Sequence, residues 1–169
     1  MQADLSPVIA ATAQWLTCSF PAPGGALAVA LCEAQARQAV TVAARLRYPT
    51  EMDVALVGLA GPGGSGRLDW VTGADGDDGV AGDAWRTWVD EVVASWAVCL
   101  LADTELAGLA VSALAGGAVA AEFRRLVAPD EADRRAAALL RHPDLVAPVA
   151  GLHRSGLLSR LDPDATLVG

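Results

Sequence analysis

Residues 53–70 read DVALVGLAGPGGSGRLDW: an apolar run enters a glycine-rich loop and leaves it at a basic residue. A phosphate-binding loop begins this way, and so does a turn between two strands. In a loop of the G-x-x-x-x-G-K-[ST] type, backbone N–H groups cradle phosphates, the lysine reaches the outer phosphates, and the hydroxyl holds magnesium. Gly61 and Gly66 keep that spacing, but Arg67 stands in the lysine position and Leu68 in the hydroxyl position. Such a loop must also open a helix, and residues 68–82 show no helical periodicity and several helix breakers. The run WAVCLLAD at 96–103 ends in an acid, as a magnesium-binding strand would, yet it continues the helical spacing of the tryptophans before it. The reading is therefore a hairpin: VALVGLA as one strand, GPGGSG as the turn, and RLDWVT as the second strand with Leu68 and Trp70 on one face.

Upstream of the hairpin, residues 6–19 form a helix with Ser6 as N-cap and Pro7 in the first turn, ended by FPAPGG. A second helix runs to about residue 38. Beyond it, Val40, Val42, Ala44, Leu46 and Tyr48 alternate as in a half-buried strand, and helix or strand stays open.

Downstream, Trp85, Trp88, Val89, Val92, Val93, Trp96, Cys99 and Leu100 recur at helical spacing, with Arg86, Asp90, Glu91 and Ser95 between them. This predicts an amphipathic helix of about five turns with Asp83 as N-cap. Asp103 and Thr104 end it and cap the next helix, 105–127, whose Gly108, Gly116 and Gly117 permit close approach. A further helix starts at Pro129. The stretch 143–161 is expected to be short and broken by Pro143, Pro148 and Gly151. The fold class expected is α+β and predominantly helical: about five helices around a small antiparallel β-hairpin or three-strand meander, in a single domain over residues 1–169.

Composition narrows the function. The 169 residues carry a net charge of −8, all twelve basic residues are arginine, and 53% are apolar. Such acidity argues against nucleic acid as a partner, because phosphate affinity needs clustered cations. The pairs Arg124-Arg125 and Arg134-Arg135 read as solvated helix faces. The bias to arginine fits a high-GC bacterial genome. Cys18, Cys32 and Cys99 stand far apart and read as buried thiols in a reducing cytoplasm. Residues 1–20 lack a positive n-region, and the uncharged run 106–121 is too short to span a bilayer, so no membrane is expected either.

Chemistry-bearing residues are few. Asp75, Asp77, Asp78 and Asp83 resemble a calcium loop, but its turn glycine would fall on Val80 and its closing acid on Arg86, so no metal is expected. No cofactor is implied. His142 and His153, with Asp144 near the first, are the only groups positioned to supply a general acid or base. Trp85, Trp88, Trp96, Gly116 and Gly117 are the candidate contact residues. The leading expectation is a non-catalytic protein-interaction or assembly module that binds itself, as a homodimer, or another protein, through the Trp-rich and small-residue helices. The alternative is a small cofactor-free enzyme or binding protein for an apolar metabolite, with a Trp-lined pocket and His142 or His153 as acid or base.

Overall fold

The computed structural model describes residues 4–74, 84–114 and 119–162. Among the described residues there are helices and no strand, so the expected α+β architecture with its hairpin or meander is overturned. Both arms of that hairpin are helical: α3, Glu51–Ala60, and α4, Gly66–Thr72, flank the glycine loop. The reason sits at the start of α3. Thr50 accepts a hydrogen bond from the Asp53 amide while Asp53 accepts one from the Thr50 amide, a capping box that commits the following apolar run to a helix. An apolar run this short carries no period of its own to tell strand from helix. Leu68 is buried and Trp70 faces out, so the two do not share a face.

The core is built on two helices. α1, Ser6–Ser19, leads into α2, Ala26–Arg47, which runs unbroken through the segment left open above. Val40, Val42, Ala44 and Leu46 are buried, but so are Ala36, Ala39 and Ala43, which is the wide face of a helix. In α1 the N-cap is Leu5; Ser6 is the first helical residue and donates to Asp4.

The tryptophan helix also differs from expectation. Residues 84–88 form a 3-10 turn, the chain breaks at Val89-Asp90, and α5, Glu91–Ala102, begins there. Every residue from Val93 to Leu101 is buried, so α5 is apolar on all sides and lies sandwiched between α2 and α10, Pro143–Leu161. Asp103 then caps α6, Thr104–Ala113, by accepting from the Glu105 and Leu106 amides. Short helices α7, Val119–Glu122, α8, Arg124–Val127, and α9, Glu131–Ala136, close the bundle against α2 and α6. The stretch 143–161 is one element with Pro148 inside it and non-helical torsions at His153.

Alanine-rich faces let these helices approach closely, and the gaps at their ends are filled by polar side chains. Arg141 donates to Gln35 Oε1, to the Leu101 carbonyl that ends α5, and to the Arg125 carbonyl in α8. Gln35 in turn donates to the Leu31 and Asp133 carbonyls. Arg125 is not a solvated residue as expected but lies 2.6 Å from the fully buried carboxylate of Asp133, with Arg124 at 3.7 Å from the same group. Burial pushes the Arg141 guanidinium down to about 10, which still leaves it charged at neutral pH.

Removing Arg141 strands three acceptors in the interior. Arg141→Ala is expected to cost about 3 kcal/mol and lower the melting temperature by about 10 °C in a thermal scan. Arg141→Lys is expected to recover less than half of that, because an ammonium cannot reproduce the guanidinium fork.

Candidate functional site

Asp90 is the most heavily used polar residue. Its Oδ1 accepts from the amides of Val92 and Val93, which caps α5. Its Oδ2 accepts from the Tyr48 hydroxyl at the end of α2, with Arg47 Nε at 3.4 Å. Its own amide donates to Thr12 Oγ1 on α1 at 3.1 Å. The side chain is 1% exposed. The carboxylate thus ties α5 to the end of α2, and the backbone amide of the same residue adds α1. Burial, then the hydrogen bond to Asp90, push the Tyr48 phenol up to about 12.

The glycine loop docks onto the same junction. The Gly64 amide donates to the Val89 carbonyl, and Gly64 has φ +86° with Arg86 O 3.5 Å from where a Cβ would stand. Only glycine meets both requirements without strain. A helix does follow this loop, contrary to expectation, but α4 has seven residues and the element before the loop is a helix, not a strand. Arg67, in the lysine position, lies 3.7 Å from Glu91. Asp69 closes the loop: Oδ1 accepts from Trp15 Nε1 at 2.8 Å and Arg86 Nη1 at 2.7 Å, and Oδ2 accepts from Ser65 Oγ at 2.8 Å. A wide, open cleft of about 590 Å³ lies between the loop, the end of α3 and the 3-10 turn, lined by Leu59, Asp69, Arg86 and Trp88 among others. The donors around Asp69 satisfy it within the protein, which suits a structural clasp better than a ligand.

The predicted residues separate in space. His142 is the exposed N-cap of α10 and Asp144 is exposed in its first turn. His153 lies eleven residues further along the helix, about 16 Å away at helical rise. Its partner is Glu91, with Nε2 2.5 Å from Oε2, a residue 62 positions distant that no local pattern announces. The backbone around His153 is held by α5: the His153 amide donates to Ser95 Oγ, Ser95 donates to the Ala150 carbonyl, and Trp96 Nε1 donates to the His153 carbonyl. These side chains supply the hydrogen bonds that α10 drops at its kink. The Ser95 hydroxyl is consumed in doing so and is not poised as a nucleophile for the Glu91–His153 pair.

Trp96 is therefore a core residue, and Trp85 and Trp88 are half-buried against the core. Gly116 and Gly117 lie outside the described residues, as do Asp75, Asp77, Asp78 and Asp83. Cys32 and Cys99 are buried free thiols, whereas Cys18 is exposed. Among the described residues no group of three His, Cys, Asp or Glu side chains could hold a metal ion, and no helix is long and apolar enough to cross a membrane.

What sequence reasoning missed is α3. Its ten residues bury only Val57, while Met52, Leu56 and Leu59 are exposed. At 100° per residue these three fall within about 60° of one another, opposite Val57. Gly58 on the same helix would meet nothing if it carried a Cβ. The spacing i, i+4, i+7 gains meaning only once the segment is known to be helical, and it does not say which face a helix turns inward.

Comparison with known proteins finds no family, no curated protein and no solved structure that matches the chain.

Tyr48 is the only tyrosine, so the rise in absorbance near 295 nm on alkaline titration, over the constant background of the five tryptophans, reports its ionisation alone. A phenol raised in the folded state adds stability below its unfolded value near 10, and that stability fades as pH rises towards 12. The native protein is expected to keep Tyr48 mostly protonated at pH 11. Asp90→Asn is expected to move the titration midpoint down towards 10.

Proposed function

We propose that the protein is a non-catalytic interaction module whose contact surface is the exposed face of α3. The observation that carries this is the stripe of Met52, Leu56 and Leu59, which are 69%, 56% and 87% exposed on a helix that buries one residue. A ten-residue helix is marginal in water without tertiary packing, and α3 has its capping box and Val57 to hold it. Contiguous exposed apolar side chains of this size mark contact sites in soluble proteins. Trp70 on α4, the helix that follows the glycine loop, is also 70% exposed. The Trp85, Trp88 and Trp96 set contributes to this reading only indirectly, by seating the 3-10 turn and α5 on which the loop rests.

The test is site-specific photo-crosslinking in cells from a benzophenone side chain at position 59. A discrete adduct to one protein chain, with the crosslinked peptide identified by mass spectrometry, is expected. It should be absent when the probe stands at Gln14, an exposed position on α1. Failure to form any adduct at position 59 would overturn the reading.

A second reading, an acid–base site at His153, is favoured by the Glu91–His153 pair. It requires a small molecule that stays with the protein in native mass spectrometry and is lost in His153→Gln; a molecule retained by that variant counts against it.

A further inference from the structure

We infer that the occupant of the α3 face is α3 of a second copy, packed antiparallel about a two-fold axis beside Leu56; this rests on the interaction reading above.

Area is the first argument. A standard interface covers about 800 Å² per partner, of which somewhat over half is apolar. Met52, Leu56 and Leu59, with the exposed Gly58 and Ala60 on the same helix, present roughly 400 Å² of mostly apolar surface, close to the apolar share such an interface needs.

Charge is the second. The chain carries −8, and two copies can approach closely only through a neutral face. Leu56 and Leu59 lie within Val54 to Gly66, a run of thirteen residues without a charge. The two acids of α3, Glu51 and Asp53, stand in its first turn. Parallel pairing would bring all four acids of a dimer together. Antiparallel pairing puts them at opposite ends, about 15 Å apart, and opposes the two helix dipoles.

The third argument is the pattern itself. A two-fold interface needs residue i to meet j and j to meet i. With the axis beside Leu56, Met52 faces Leu59 of the other copy, Leu59 faces Met52, and Leu56 faces its own equivalent. The small residues Ala55 and Gly58 flank the seam and leave room for close approach.

The experiment uses the purified full chain. Light scattering is expected to give twice 17.2 kDa, and Leu56→Glu with Leu59→Glu to return it to a single chain with unchanged circular dichroism. Should that pair disturb folding, Leu59→Ser alone is expected to give the same shift at lower concentration. Orientation is read by cysteine crosslinking in a Cys18→Ser background, which removes the exposed native thiol. Leu56→Cys is expected to link to itself, and Met52→Cys to link to Leu59→Cys in a mixture. Met52→Cys alone should not self-link, since about 12 Å would separate the two positions, beyond disulfide reach. A monomeric mass at every concentration would overturn self-pairing, and a Met52 self-link would overturn the antiparallel arrangement. A monomer in vitro that still forms an adduct to a different protein from position 59 in cells removes this inference and leaves the interaction reading standing. No adduct of any kind removes both.

Discussion

The carboxylate of Asp90 is the constraint on which the arrangement depends. It caps α5 just after the tryptophan-rich 3-10 turn and receives the Tyr48 hydroxyl from α2, while the backbone amide of Asp90 reaches Thr12 on α1. A charge buried to this degree is tolerated only when its hydrogen-bonding capacity is filled, so the end of α2 and the start of α5 cannot shift independently. The break it imposes also explains why α5 can be apolar all round. Starting afresh after the 3-10 turn, α5 lies between α2 and α10.

Burying α5 in this way has a further effect on the surface. The apolar residues of α2, α5 and α10 face one another, and Arg141 and Asp133 satisfy the polar ends of the bundle, so the core closes without α3. α3 remains attached through Val57, its capping box and the loop that Gly64 clasps to Val89. An apolar helix face left outside the main core cluster is the kind of surface the proposed role calls for. The proposed role follows from that division between the parts of the chain.

The Glu91–His153 pair belongs to the same architecture. Glu91 is the first residue of α5, immediately after the Asp90 cap, and His153 sits where Ser95 and Trp96 replace the backbone bonds of α10. The pair therefore fastens the kinked helix to α5 at the point where both have lost regularity. Its contribution to the molecule is legible as structure before any chemistry is asked of it.

Several features were readable from the chain alone. The first helix, the Asp103 cap, the helical content after residue 84, and the acidic, arginine-only charge balance follow from local rules: proline in a first turn, aspartate before an apolar period, breakers between elements. The strand reading of VALVGLA and RLDWVT failed because seven apolar residues fit either period, and the Thr50–Asp53 box that decides the matter lies just outside them. Periodicity makes Asp90 one polar position on a long amphipathic helix, whereas in the fold it caps α5 through the Val92 and Val93 amides and meets Thr12 and Tyr48 from α1 and α2. Local sequence determined where helices begin, end and carry apolar residues, since caps and periodicity act within one turn. Only the tertiary structure decided which apolar faces the core consumes and which is left over at α3, because burial is a competition among all faces at once.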